Sequence, residues 1–474
     1  MDKILTLDLG SSYLKAALFD RQGVLCALAR TPTPIARADG RSEMEPERLR
    51  QAVKEILSDL GRSEPGCLKE VAAVTFATQT NSFLLLDGGY KALTPIIIWS
   101  DERARELAGL AEKMAQVPGF RGVTGIPSLG WEYMVAKLIW LRKNRPDAWR
   151  NAARLCLISD YLTWWLTGRH VTEASVAGLT GLVDIRRLTW WPAVCEPLGL
   201  SRDWLPAIAR AGTDIGPLRA EAAAALGLPA SCRFVVGCLD QYAGAIGAGC
   251  LAPGTGSETT GTVLATVRCA AGFNVEPALG AFQGPSYDPG LYFQMTFGST
   301  SANLLEWYRE SLPDHPEFDA LARMAASVSP GAEGLRLRPE AARGGVKEGF
   351  IGWGSQHTPA HAVRCIMETV ALALARQVEQ LWGSKPLRVM RSSGGGARSE
   401  VWLQIKADLL NASFESTQCP EPTSLGAAIL AGQAVGWGTV SELAARWVHV
   451  SRSYKPQPGI HRKYAALFGM DGGS

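Results

Sequence analysis

The 474 residues contain no CxxC pair, no basic block, no GxGxxG element and no glycine–lysine phosphate loop. Each absence removes a class of protein. Ten cysteines scattered from Cys26 to Cys419 without a regular framework read as reduced core thiols of a cytoplasmic chain. Lys and Arg number 48 against 45 Asp and Glu, giving a formal charge of +3 spread along the chain, so no nucleic-acid partner is expected. No apolar run approaches the ~20 residues that span a bilayer, so no membrane is expected either. A strand-like run begins at Lys3, which is expected to leave no room for a signal peptide. His357 and His361 have the spacing of helical metal ligands. Pro359 lies between them and no third ligand follows, so a metal pair is not expected there.

What is present is an ordinary core composition, 47% apolar and 20% charged, on a length that suits two to four units of about 150 residues. Ile4–Asp8, Leu14–Phe19 and Val24–Ala29 are short apolar runs parted by polar turns, the pattern of a three-stranded antiparallel meander. Pro46 opens a helix whose Leu49, Val53, Ile56, Leu57 and Leu60 share one face. Val71–Phe76 then returns as a buried strand. This start differs from the strand–helix alternation of a dinucleotide fold and fits a ribonuclease-H-like or actin-like architecture. Residues from Asp101 to about Gly212 read as mostly helical. Phe234–Gly237 is a strand before Asp240, and Tyr242–Gly249 is a small-residue helix. Around Ser257–Arg268 the β-pattern of the first half restarts, which places a boundary near residue 250. A long helix (Ala360–Leu381), a strand (Leu387–Arg391), a glycine loop, and helices Ser399–Leu410 and Ser424–Ala434 complete the second half.

Asp8-Leu9-Gly10-Ser11-Ser12 is a tight polar turn between apolar strands, and Thr260-Gly261-Thr262 repeats it in altered form. Small residues let successive amides and hydroxyls point at one anion, so two such turns suggest two similar halves closing on a polyphosphate. Asp8 suits a hydrated divalent cation such as magnesium. The turn read alone is also compatible with a plain hairpin. Lys15 either approaches a phosphate or is a solvated strand lysine. Asp240 ends a strand and starts a helix beside Gln241. There it acts either as a helix N-cap or as the base that takes a proton from an attacking hydroxyl. Gly394-Gly395-Gly396 joins strand to helix, as a connector or as a flat bed for adenine before a helix N-terminus. Trp99 and Trp131 suit the apolar face of a sugar.

Seven segments in order resemble the FGGY family of carbohydrate kinases. They are Asp8–Ser12, Ile98–Ala104, Ser159–Gly168, Gly237–Asp240, Thr260–Thr262, Gly394–Ser399 with Trp402 and Ala407-Asp408, and Thr423–Ala428. The resemblance runs from about residue 3 to residue 440. It implies an α/β chain of two ribonuclease-H-like, actin-like ATPase domains with a cleft between them. Residues 1–249 would form the sugar-binding half, 250–440 the adenosine-binding half and 441–474 an extension. It further implies ATP and Mg2+, with Asp240 as general base and Asp8 at the metal. Gly10, Ser11, Ser12, Lys15, Gly261 and Thr262 would meet the phosphates, and Gly395 and Gly396 the adenosine. Gln79, Thr80, Asn81, Trp99 and Gln241 would meet a small sugar or polyol. Thr80-Asn81 stands where glycerol kinases carry Arg-Glu and xylulose kinases Met-His, and Leu335–Gly345 lacks a further xylulose-kinase pattern. The organisation is nevertheless similar to the xylulose-kinase-like branch, which implies a ketose. Rival readings are another polyol, glycerol or gluconate kinase, or an actin-like ATP switch without sugar. Self-association as a homodimer is left open.

Overall fold

Three apolar runs fold back on one another as expected. Lys3–Leu9, Tyr13–Asp20 and Leu25–Pro32 pair as an antiparallel meander in the computed structural model, which describes residues 2–274, 280–338, 348–383 and 385–469. Val71–Thr78 joins the first strand in parallel, Arg233–Val235 joins Val71–Thr78, and Asp214–Pro217 closes the edge. A second sheet repeats the order. Thr255–Thr260, Leu264–Ala271 and Leu291–Gly298 form its meander, and Val389–Ser393 and Ser413–Thr417 add in parallel. Phe282–Pro285 and Val450–Tyr454 are its edges. Two ribonuclease-H-like sheets with helices around them are the actin-like architecture that the sequence led us to expect.

Alternation along the first strand divides its side chains between two cores. Leu5, Leu7 and Leu9 pack with Leu49, Val53, Ile56, Leu57 and Leu60 of the helix Pro46–Ser63. Ile4 points the other way, into a core with Ala17, Phe19, Ala73, Leu425 and Ile429. Leu425 and Ile429 belong to the helix Pro422–Ala434, which lies late in the chain yet packs on the first sheet. Conversely, the helix Asp240–Gly247 packs on the second sheet, where Tyr242 stands 4.8 Å from Phe293, centroid to centroid. The halves have exchanged helices.

Those two helices cross with almost nothing between their backbones. A Cβ on Gly247 would lie 1.8 Å from the Pro422 carbonyl oxygen, and one on Gly426 would lie 1.8 Å from that of Ala243. Only glycine fits either place.

Two segments differ from expectation. The stretch Asp101–Gly212 is helical at Met134–Asn144 and Ile158–Thr167 but also holds short strands, including Arg154–Leu157, which pairs with Phe83–Leu86. Strands of two to four residues leave no periodicity to read. The strand before Asp240 is interrupted, as described below. All ten cysteines are free, and only Cys26 and Cys419 are not buried. His361 joins a capping box at the start of the helix Pro359–Trp382. Among the described residues no helix is long and apolar enough to cross a membrane. Residues 339–345 of the Leu335–Gly345 stretch lie outside the described residues.

Gly426→Ala forces the crossing apart. It is expected to lower stability by about 1–3 kcal/mol, the scale of overpacking a tight contact, read as a lower urea midpoint at unchanged slope.

Candidate active site

Three strands end level with one another. Leu9 and Leu239 are both in register with Thr78, so Gly10, Gln79 and Asp240 leave the sheet side by side. Ligands of open α/β sheets bind in the crevice beyond such carboxyl ends. Gly237 makes the alignment possible. The strand is interrupted after Val235 and resumes pairing at Cys238, and a Cβ on residue 237 would sit 1.6 Å from the Phe76 carbonyl oxygen.

Asp240 is the first residue of its helix, and the cap position falls to Leu239. Its Oδ1 accepts the Gln241 amide at 2.7 Å. The Leu239 amide donates to Ser175 Oγ at 3.2 Å, and the Ser175 amide in turn donates to the buried Glu173 carboxylate at 2.8 Å. Burial pushes the Asp240 carboxyl up to about 6, against the pull of the Gln241 amide. Asp8 goes up to about 7. Burial is the main cause there, Lys15 opposes it, and the charges of Asp240 and Glu421 add to it. Lys15 Nζ lies 3.9 Å from Asp8 Oδ2 but 2.6 Å from Glu421 Oε2, so it clasps the residue that precedes the exchanged helix Pro422–Ala434.

The two polar turns are tied alike. Thr33 Oγ1 donates to the Gly10 carbonyl at 2.7 Å, and Ser301 Oγ donates to the Gly261 carbonyl at 2.7 Å. The Thr33 amide holds Ser12 O, and the Ala302 amide also holds Gly261 O. With these carbonyls engaged, the amides and hydroxyls of Ser11, Ser12 and Thr262 are the groups left to meet an anion.

Two cavities flank the glycine loop. One, of about 580 Å³, is lined by Lys15, Asp240, Gln241, Thr259, Gly394 and Glu421. The other, of about 700 Å³, is lined by Gly261, Thr262, Asn303, Gly396, Met367 and Trp402. Gly395 and Arg398 line both. The loop itself is a short 3-10 turn, Gly395–Arg398, and Ser399 caps the helix Glu400–Leu410 that follows. Gly10, Ser11, Ser12 and Asp8 stand at the strand end next to the first cavity without lining it, and Asp8 reaches it through Lys15.

Gln79, Thr80 and Asn81 are each bonded to protein. Gln79 Nε2 donates to Leu9 O at 3.3 Å, Thr80 Oγ1 to Val176 O at 2.7 Å, and Asn81 Nδ2 to Leu179 O at 3.2 Å. Asn81 Oδ1 also accepts the Met134 amide at 3.0 Å, and its φ of +61° is a left-handed backbone that Asn tolerates. The bonds continue outward. Ser82 Oγ donates to Gln79 Oε1 and accepts the Trp99 amide. Lys137, fully buried, donates to the carbonyls of Trp99, Trp131 and Glu132 at 2.9, 3.1 and 2.8 Å. Burial lowers its ammonium to about 7. Trp99 keeps 39% of its surface exposed above this scaffold.

Residues 3–247 match the N-terminal domain, and 228–435 the C-terminal domain, of the FGGY family of carbohydrate kinases. The chain belongs to that family. Among curated relatives, a xylulose kinase of Lactococcus lactis is 27% identical over 99% of this chain and 95% of its own. An L-fuculokinase of Salmonella typhi is 28% identical, with 96% and 97% covered. Among solved structures, a xylulose kinase from Lactobacillus acidophilus superposes with a TM-score of 0.90 at 23% identity, covering 99% and 97%. A gluconate kinase from the same organism gives 0.89 at 24%, covering 99% and 96%. The protein is accordingly a sugar phosphotransferase, and FGGY kinases take the phosphoryl group from ATP.

Sequence reasoning missed the buried charges Lys137, Glu173, Glu258 and Lys406, which hold the elements that carry the site. The trace of Lys137 and Lys406 is a charged letter inside a largely apolar run, Met134–Leu141 and Trp402–Leu409, whereas Glu258 and Glu173 sit in polar surroundings that leave no such mark.

The raised carboxyls set a pH dependence. A carboxyl whose folded value lies above its ordinary 3.8 supports the fold fully below that pH and loses this support as pH rises through the folded value. Asp240→Asn removes one such group. Its melting temperature is expected to equal that of the parent near pH 4, to exceed it by a growing margin between about pH 4 and pH 6, and to keep a steady excess above that. Thermal scans from pH 4 to pH 8 read the difference.

Proposed function

We propose that the protein transfers the γ-phosphoryl group of ATP to a primary hydroxyl of a small neutral ketose such as xylulose. The observation that carries the reading is the common register of Leu9, Thr78 and Leu239, which sets a carboxylate and a phosphate-type turn at one crevice. In the proposed site the phosphates lie along Gly10, Ser11, Ser12, Lys15, Gly261 and Thr262. The adenosine enters the cavity walled by Gly395, Gly396 and Trp402. Asp240 takes the hydroxyl proton as that oxygen attacks phosphorus. Its Oδ1 is held by the Gln241 amide, which leaves Oδ2 as the accepting atom. With its carboxyl at about 6, it is ionised at neutral pH yet basic enough to pull a proton. Gln241 and the Gln79–Trp99 scaffold present the sugar.

The donor set fits magnesium. Mg2+ binds through one or two carboxylates, phosphate oxygens and waters, rather than a full protein cage. Asp8 is such a carboxylate, buried and raised, with its nearest cation, Lys15, held closer to Glu421. When bound, the ion neutralises charge on the phosphates.

Xylulose, fuculose and gluconate kinases all lie near this chain. Two features favour a neutral sugar over a sugar acid. Asp240, the proposed base, carries a negative charge that Asp8 reinforces, and Lys137 has its N–H groups engaged by three carbonyls. A carboxylated sugar would meet repulsion there without a free counter-charge from that lysine.

An ADP-release screen over ketoses, aldoses, polyols, glycerol and gluconate tests the substrate. Xylulose or a related ketose is expected to give the highest kcat/KM. ADP release that ignores every sugar would sink the reading in favour of an ATP switch. Asp240→Asn is expected to cut kcat by at least ~100-fold while ADP still binds, and near-parental turnover would remove the general-base role.

A further inference from the structure

Behind the second turn lies a buried charged network that the phosphoryl-transfer reading does not use. Lys406 Nζ is 2.7 Å from Glu258 Oε1 and 2.7 Å from Thr260 Oγ1, and Thr260 Oγ1 donates to Glu258 Oε2 at 2.6 Å. All three residues are 0% exposed. Glu258 and Thr260 come from the strand that ends in the Gly261 turn, and Lys406 from the helix that follows the glycine loop. One network therefore joins the elements on both sides of the larger cavity.

Its position gives it leverage over that cavity. The Lys406 ammonium lies 5.4 Å from the centroid of the Trp402 ring, which forms part of the cavity wall. Thr260 is the surface on which the glycine loop rests. A Cβ on Gly394 would lie 2.8 Å from Thr260 O, and one on Gly396 would lie 2.7 Å from Thr260 Cβ. The Thr260 hydroxyl donates to one partner and accepts from the other, so it has a single orientation. Leu264, Met390 and Leu403 belong to the same core. Apolar residues in place of the Glu258–Lys406 pair are expected to be close to neutral for stability, because desolvation offsets most of the attraction within a buried ion pair.

We infer that Glu258, Thr260 and Lys406 are positioning residues for the nucleotide, fixing the gap between the Gly261-Thr262 turn and the Gly395-Gly396 loop. The inference rests on the nucleotide reading of the larger cavity. Truncating one charge risks unfolding, so the test uses shape-matched changes. These are Thr260→Val, Thr260→Ser and the apolar pair Glu258→Leu with Lys406→Met.

ADP binding by calorimetry and the KM values for ATP and for sugar are the readouts. Thr260→Val and the apolar pair are expected to fold but to weaken ADP binding and raise KM for ATP by about tenfold, with KM for sugar within about twofold. Thr260→Ser, which keeps the hydroxyl, is expected to stay near the parent. Folded Thr260→Val and apolar-pair variants that bind ADP like the parent would overturn the positioning role. Gly395→Val separates the two layers of argument, since a side chain there meets no protein atom within 4 Å and projects into open space beside the loop. If it leaves ADP binding intact, the pocket assignment falls, and the inference with it. If it abolishes binding while the other variants do not, only the positioning role falls.

Discussion

The contact on which the molecule depends is the crossing of two helices that touch backbone to backbone. Gly247 and Gly426 remove every side-chain atom from the point where the helices Asp240–Gly247 and Pro422–Ala434 meet. The helix Pro422–Ala434 packs on the first sheet and the helix Asp240–Gly247 reaches the second, so the crossing is also where the two lobes meet. Asp240 opens one of these helices, and Glu421, the partner of Lys15, immediately precedes the other. The crossing therefore ties the base and the clasp into one contact between the halves.

The repeat is clearer in hydrogen bonds than in letters. Gly10 and Gly261 sit in dissimilar sequences, yet a hydroxyl from elsewhere holds each carbonyl at the same distance, Thr33 in one half and Ser301 in the other. The halves have diverged in what lies two residues earlier. The first places Asp8 there, suited to a cation. The second places Thr259, whose hydroxyl bonds Ser393. A symmetric frame thus carries asymmetric chemistry, as a donor and an acceptor require.

Local pattern made much of this legible. The meander, the helix opened by Pro46 and the return strand followed from alternation and helical spacing, because each is decided by neighbours in sequence. Asp240 stood out because a strand, a glycine and a small-residue helix converge on it. The register of Leu9, Thr78 and Leu239 did not, since pairing between strands remote in sequence leaves no local mark. The same holds for the exchanged helices and for Lys406, whose partners Glu258 and Thr260 lie about 150 residues away. Gln79, Thr80 and Asn81 were legible as polar residues at a strand end. Their bonds to Leu9, Val176 and Leu179 were not, because a polar side chain on paper does not say whether it faces solvent, ligand or main chain.

The helix exchange also bears on how the chain is made. Synthesis runs from the N-terminus at a pace of some 5–20 residues per second. When the first sheet has emerged, the face carrying Ile4, Ala17 and Phe19 is still bare, because Leu425 and Ile429 have yet to be translated. For many seconds the nascent polypeptide carries an uncovered greasy surface, which makes the first half a poor candidate for expression on its own.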